Sequence, residues 1–555
     1  MLNALFYGDN LDVLREHIAN ESVDLIYLDP PFNSNATYNV LFRAPAGQQS
    51  EAQIEAFEDT WHWGDSAARA FDEVIRSRHT EAATMLHAMR SFLGENDVMA
   101  YLAMMAVRLI ELHRVLKPTG SLYLHCDPKA SHYLKLLLDA VFGRANLMNE
   151  IIWKRTHAHG SSKRYGPVHD VIFFYTKSNT FVWTDPRAQH AEGYVERHFT
   201  LTDETTGVQF APITLTGSGV RHGESGKPWK GINPTDVGRH WALPGAILED
   251  LGISSGTIQE RLDGLDEAGR IFWPKAKDGT PRLKWFVTDL HGVAIPDVWI
   301  DIPPISAHAK ERLGYPTQKP LALLERIIAA SSNESDLVLD PFCGCGTAVH
   351  AAQKLNRRWI GIDITHLAIS LIERRLKDAF PEVKFEVHGV PRDLGGARDL
   401  ASRDKYQFQW WAVSLVDAVP QGGKKKGADR GIDGIRWVRT GPREGDVDRV
   451  IVSVKGGEHV TSGMVRDLKG TVEREGAAAG LIITLAEPTR EMEREAAASG
   501  FFESGLGRHP RIQAITIREL LGGIKPDLLP LGRSEGFRRA PRERGPKAEQ
   551  GRIEL

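Results

Sequence analysis

Val23-Asp24-Leu25-Ile26-Tyr27-Leu28-Asp29-Pro30-Pro31-Phe32 is the stretch from which the rest of the chain can be read. The run over 23–28 has the length and apolar character of a buried parallel strand. An acidic residue at the carboxyl end of such a strand faces the crevice where open α/β sheets bind ligands, which is the expectation for Asp29. The two prolines fix φ and remove two backbone donors, leaving the Pro30 carbonyl as a rigid acceptor beside the Asp29 carboxylate. Phe32 adds a flat apolar face. Two acceptors beside an aromatic ring suit a planar group bearing an NH2, such as the exocyclic amine of adenine or cytosine. That amine is a poor nucleophile because its lone pair is delocalised into the ring. Accepting its N–H bonds draws density back to nitrogen and stabilises the positive charge that develops during methyl transfer. A base in duplex DNA must be flipped out to be reached, and Phe32 can stack on it. Taken alone, the four residues equally fit an ordinary strand-ending turn.

Toward the N-terminus, residues 2–7 read as a short strand that stops at Gly8-Asp9-Asn10, with Asn10 capping an amphipathic helix through Leu11, Leu14 and Ile18. Asp9 at that strand end can hold a ligand hydroxyl or amine, or serve a plain capping turn. Past Phe32, a polar stretch through Asn33, Asn35 and Tyr38 runs into Trp61-His62-Trp63 without a strand period, and reads as a long active-site loop or a mobile insertion. A helix over 97–116, a strand over 121–125 and a helix over 128–142 continue a doubly wound α/β series. Histidine and methionine there read as core.

Regularity fails from Ile151 to about Ile305, where tryptophans at 229, 241, 273, 285 and 299 accumulate. One hairpin is legible: strands over 271–277 and 282–287 joined by Asp278-Gly279. The opening of this region, Lys154-Arg155-Thr156-His157 through Lys163-Arg164, is locally basic, which suits either phosphate contact or a solvated face. Helical spacing resumes after Thr317-Gln318-Lys319-Pro320, on Leu323, Leu324, Ile327 and Ile328. A strand over 337–339 then enters Asp340-Pro341-Phe342-Cys343-Gly344-Cys345-Gly346-Thr347 and a helix over 348–355. Glycines at such a turn let backbone N–H groups approach a nucleoside cofactor closely. The next strand, 359–362, ends in Asp363, at the position of the acidic residue that binds ribose hydroxyls about 20 residues after a glycine turn.

The chain has 555 residues, 42% of them hydrophobic, and a formal net charge of −3. That length suggests about three domains or subdomains, and the charge means that any nucleic-acid surface must be local. Three cysteines, two of them in Cys343-Gly344-Cys345, form no disulfide framework and have no usual zinc spacing. With no secretory signal ahead of the first strand and no apolar run of membrane-spanning length, a soluble cytoplasmic protein is expected, with no membrane partner.

Taken together, the DPPF block, the Trp-rich middle, the Tyr315–Pro320 entry and the Phe342-Cys343-Gly344-Cys345-Gly346 block occur in an order that resembles the amino-directed DNA methyltransferases of the β order. Those enzymes use S-adenosylmethionine on a Rossmann-like sheet. The resemblance implies that Asp29, Pro30, Pro31 and Phe32 hold the flipped base. It implies that Thr317, Gln318, Lys319, Asp340, Pro341, Phe342, Gly344, Gly346 and Thr347 shape the methionine pocket, that Asp363 takes the ribose, and that Asp9 lies near the cofactor adenine. An aspartate at the first position of the block points to adenine in double-stranded DNA as the target, with cytosine-N4 as the alternative. A homodimer is a further implication. The expected division is a catalytic half over 1–150, a target-recognition region over 151–310 and a cofactor half over 311–390.

A linker over 391–405 and a small α/β domain over 406–525 follow, and then a disordered basic tail over 526–555. The small domain resembles the Mrr-type PD-(D/E)xK nuclease fold, in which Asp433 of Gly431-Ile432-Asp433-Gly434 would bind the metal and Ser453-Val454-Lys455 would be the xK element. Ser453 departs from that pattern because a neutral hydroxyl replaces a carboxylate, and Gln409 stands where an acid is often found. The expectation is a weak or gated Mg²⁺-dependent nuclease, or a domain that only tethers DNA, with Lys424, Lys425 and Lys426 on phosphates.

Overall fold

The structure is a computed structural model. It describes residues 3–543 apart from 32–36, 44–48, 59–62, 158–164, 189–192, 275–278, 291, 307, 308, 314, 316, 422–430, 444, 445 and 531–539. The chain forms two compact units, one of residues 1–184 with 296–555 and one of residues 185–295.

The first unit is built on a nine-stranded sheet. Its strands are β1 (Asn3–Tyr7), β2 (Val23–Leu28), β3 (Leu116–Cys126), β4 (Leu147–Lys154), β5 (His169–Thr176), β6 (Val298–Trp299), β7 (Leu337–Asp340), β8 (Arg358–Asp363) and β9 (Phe385–His388), in the spatial order β6-β4-β5-β3-β2-β7-β8-β1-β9. From β3 to β9 every pairing is parallel, whereas β5 runs antiparallel to both β3 and β4. This is the doubly wound sheet expected from the strand-helix alternation. All six residues of β2 are buried, as a strand covered by helices on both faces requires. Asp24 tolerates that burial because Lys117 Nζ donates to Oδ1 at 2.7 Å and Leu337 N to Oδ2 at 2.9 Å. The helices that matter for the site are α1 (Asn10–His17), α2 (Asp97–Val115), α3 (Pro128–Phe142), α4 (Leu321–Ser331), α5 (Thr347–Lys354) and α6 (His366–Ala379).

Several expectations are corrected. Asp9, not Asn10, caps α1, accepting from Leu11 N at 2.8 Å. The stretch after Phe32 is not a structureless loop throughout, since Thr37–Arg43 and Gln49–Glu58 pair as antiparallel strands. Residues 151–184 and 296–310, grouped by sequence with the Trp-rich region, belong to the first unit; 151–154, β5 and β6 are part of the large sheet. The expected linker is folded as α7 (Leu394–Arg403), and its Ala397, Leu400 and Ala401 enter the core of the C-terminal module. The apolar Leu400 and Ala401 lie among polar neighbours, so composition alone read as a linker. Part of the tail is also ordered: Leu529 is buried in that core, and Glu543 pairs with His350 and Lys354 on α5.

The C-terminal module carries α8 (Lys405–Ser414) and a five-stranded sheet, β10 (Val419–Pro420), β11 (Gly434–Arg439), β12 (Val447–Lys455), β13 (Ala479–Thr484) and β14 (Ile512–Thr516), in sequential order. In the 185–295 unit, the hairpin read from sequence is present with shorter strands, Ile271–Phe272 against Arg282–Phe286. Trp229 and Trp241 of that unit are buried, and their indoles donate to Asp263 Oδ1 and Lys227 O, so these two hold its core together.

Candidate active site

Register places the two acidic strand ends side by side. β2 and β7 pair through Leu25 with Val338 and Ile26 with Leu339, so Asp29 and Asp340 emerge from adjacent strands. From β2 the sheet continues to β3 on one side and from β7 to β8 on the other, so the strand order reverses here, the switch point where α/β folds bind ligands. A cavity of about 420 Å³ opens there, lined by Asp9, Tyr27, Asp29, Pro30, Pro31, Thr317, Gln318, Lys319, Asp340, Pro341, Phe342, Gly344, Thr347 and Asp363 among others. Its volume falls in the ordinary range for small-molecule sites, about 300–1,000 Å³. Every candidate from the three blocks lines it except Phe32, which lies outside the described residues, and Gly346, which caps α5 from the left-handed region with φ +72°. A Cβ on Gly346 would stand 2.7 Å from Ile372 Cγ1, so only glycine permits this turn.

Each anchor has identifiable partners. Asp363 Oδ2 accepts from Gly344 N at 2.9 Å, and Oδ1 accepts from Thr365 N at 2.9 Å and Thr365 Oγ1 at 2.8 Å. Burial nevertheless pushes its carboxyl up to about 6 against those bonds. Asp340 is driven well above the usual carboxylate range, first by burial and then by the charges of Asp29 and Asp363, with the bond from Phe342 N opposing. Asp29 is ion-paired with Lys319, which brings the TQKP entry and the DPPF block into contact. Gln318 is engaged by its own loop: Oε1 accepts from Leu313 N and Nε2 donates to Glu311 O. Thr317 adopts φ +61°, a strained conformation for a β-branched residue.

Three groups were missed by sequence reasoning. Arg108 of α2 donates from Nη2 to both Asp9 oxygens at 2.9 and 3.1 Å and from Nε to Asn10 Oδ1 at 2.6 Å, while Asn10 Nδ2 donates to Pro341 O at 2.8 Å. Burial pulls the guanidinium down, and pairing with Asp9 offsets the cost of keeping it charged there. Arg375 of α6 is the second. Its Nη1 donates to Cys345 O at 2.9 Å and to Thr347 Oγ1 at 3.1 Å, so Thr347 is fixed from behind the glycine turn. The third is a buried chain beneath the DPPF turn, with Tyr27 Oη 3.0 Å from His125 Nδ1 and His125 Nε2 3.1 Å from Asp170 Oδ2. Burial raises Asp170, but the bond to His125 and the Lys319 and Arg155 cations outweigh it and hold the carboxyl low. No sequence spacing could reveal these groups, because their partners lie about a hundred residues or more away for Arg108 and on three separate strands for Tyr27, His125 and Asp170.

The basic residues divide differently. Arg155 Nε lies 3.1 Å from Asp170 Oδ1, so its charge is shared with a buried carboxylate. Lys154 ends β4 and is half-buried. Lys163, Arg164, Lys424, Lys425 and Lys426 lie outside the described residues. The three cysteines are free and buried.

In the C-terminal module Asp433 and Ser453 meet, Lys455 ends the strand that carries Ser453, and nothing among the described residues supports Mg²⁺ there. Asp433 Oδ2 accepts from Val454 N at 2.6 Å and Ser453 Oγ at 3.3 Å, and Oδ1 accepts from Gln409 Nε2 at 3.2 Å. The two neutral residues that stand where acids are expected thus donate to Asp433 and add no charge of their own, and among the described residues no cluster of three or more metal-ligating side chains exists. Of two glutamates elsewhere in the module that could supply a further ligand, Glu473 is exposed on a helix and Glu444 lies outside the described residues.

Residues 23–374 match the family model described as DNA methylase, and residues 422–522 match one described as NACHT-associated inactive Restriction Endonuclease 1. The chain is 30% identical over 377 residues to the type II methyltransferase M.EcaI of Enterobacter cloacae, covering 67% of this chain and 69% of the relative. It is 26% identical over 368 residues to the Mod subunit of the type III restriction-modification enzyme StyLTI of Salmonella typhimurium, covering 64% of this chain and 50% of the relative. It is 25% identical over 374 residues to the DNA adenine methyltransferase YhdJ of Escherichia coli, covering 67% and 82%.

Proposed function

The chain belongs to the DNA methylase family whose model spans residues 23–374, and from that premise we propose that it methylates the exocyclic amine of an adenine flipped out of a specific site in duplex DNA. The observation that carries this reading is the shared cavity between Asp29 and Asp363, with the amine clamp at one end of a switch point and the glycine turn at the other. The cavity suits S-adenosylmethionine: it holds a carboxylate at Asp363 for ribose hydroxyls, a glycine turn for close backbone approach and the Asp340 carboxyl beside them. Bound there, that cofactor would supply an electrophilic methyl whose C–S bond breaks, its electron pair going to sulfur, as the amine nitrogen bonds to carbon. Asp29 and the Pro30 carbonyl accept the amine's N–H bonds and stabilise the positive nitrogen until it releases a proton to solvent. Lys319 holds the Asp29 carboxylate in place before the base arrives. The aspartate at the head of the block and the similarity to an adenine enzyme support adenine over cytosine, and similarity to a Mod subunit supports a role in restriction-modification. Incubation of the chain with tritiated S-adenosylmethionine and duplex DNA, followed by nucleoside analysis, tests the reading.

A pH dependence follows from Asp363. Ribose hydroxyls donate to the ionised carboxylate, and burial pushes the Asp363 carboxyl up to about 6, so affinity is full well above that pH and falls as the group protonates below it. Equilibrium titration should show binding about tenfold weaker at pH 5 than at pH 8, and Asp363→Asn should flatten the profile.

The module over 422–522 is proposed to be without nuclease activity, because its candidate metal-binding carboxylate, Asp433, is engaged by three protein donors, two of them from neutral residues that stand where acids are expected. Plasmid DNA, methylated or unmethylated, should stay intact with the full chain at any millimolar Mg²⁺ concentration, and Lys455→Ala should change nothing. Metal-dependent cutting lost in Lys455→Ala would overturn this assignment.

A further inference from the structure

Helix α8 of the nuclease-like module has two faces, and the methylase core uses one of them. Trp410 is 3% exposed. It shares an apolar cluster with Leu313, Tyr315, Cys345, Leu367 and Leu371 of the methylase region and with Val419 of β10. Tyr315 and Cys345 also line the cofactor cavity, and Tyr315 Cε1 lies 3.4 Å from where a Cβ on Gly344 would stand. Tyr315 thus belongs both to the cavity wall and to the cluster that Trp410 completes.

One turn earlier, buried Gln407 accepts from His366 N at 3.1 Å. His366 follows Thr365, whose N–H and hydroxyl hold Asp363. Gln407 therefore fixes the residue beside the one that orients the ribose carboxylate. The His366 ring stacks on Tyr7 at a centroid distance of 3.6 Å, and Tyr7, which leads into Gly8-Asp9, packs against the module's core. Three cavity-lining segments, at Asp9, at the glycine turn and at Asp363, are in this way supported from α8 or the core behind it.

We propose that α8 forms the rear wall of the cofactor site, with Trp410 and Gln407 as positioning residues, so that the nuclease-like module is a working part of the methylase. The inference rests on the cofactor reading of the cavity. A wall that is already packed spares the ligand the cost of ordering the loops, and that saving is realised as affinity. Turnover at saturating cofactor needs no help from α8.

The test uses the full chain. Trp410→Ala and Gln407→Ala should each raise the Kd and KM for S-adenosylmethionine about tenfold, with kcat within about twofold. Trp410→Phe should recover most of the affinity. Met492→Ala, in the module's second core, should lower the melting temperature without changing that Kd. If Trp410→Ala does not fold, Gln407→Ala decides. The inference is overturned if the folded variants bind like the unaltered chain, or if Met492→Ala weakens binding as much as they do. An unaltered chain that fails to bind S-adenosylmethionine would defeat the cofactor reading itself.

Discussion

Asp29→Ala is expected to abolish methylation while leaving S-adenosylmethionine affinity within a few-fold. The carboxylate faces the target amine, and losing one charge-assisted bond of about 1.5–3 kcal/mol implies roughly a 10- to 150-fold slower transfer. Two further effects deepen the loss. The base is no longer held at attack geometry, and the Lys319 charge is no longer balanced by the Asp29 carboxylate at the place where positive charge has to develop. Single-turnover methylation with cofactor at saturation separates this rate effect from binding. Near-normal turnover in the variant would remove Asp29 from catalysis.

Asp363→Ala should have the opposite signature. Its ribose contact is present in both ground and transition states, so cofactor affinity should fall by roughly 10- to 150-fold, with turnover at saturating cofactor changed far less. The substitution also frees Gly344 N and Thr365 from their shared acceptor, which loosens the glycine turn. Calorimetric titration is the check, and unchanged affinity would place the ribose elsewhere.

Sequence made the two strand ends legible because each ends an apolar run in an acid, and because prolines and glycines restrict what a turn can be. The distance between the ends was not legible. Asp29 and Asp340 are separated by most of the methylase region, and only the pairing of β2 with β7 brings them together. Arg108 and Arg375 drew no reading, since a sequence does not show that Asp9 or Cys345 O is waiting on the buried side. The departures at Ser453 and Gln409 were visible and raised the doubt about cutting. Their meaning required seeing both side chains donate to Asp433. The linker over 391–405 misled because a helix that buries only one narrow stripe, through Ala397, Leu400 and Ala401, leaves most of its residues polar.

The central claim is methyl transfer to the exocyclic amine of a DNA base. Single-molecule sequencing of DNA from a methylation-free host that expresses the chain tests it most directly, since base and sequence context are read together. The account predicts N6-methyladenine at nearly every copy of one short motif and none in cells expressing Asp29→Ala. N4-methylcytosine at a motif would contradict the choice of adenine, and unmodified DNA in cells containing the folded, cofactor-binding chain would contradict the claim itself.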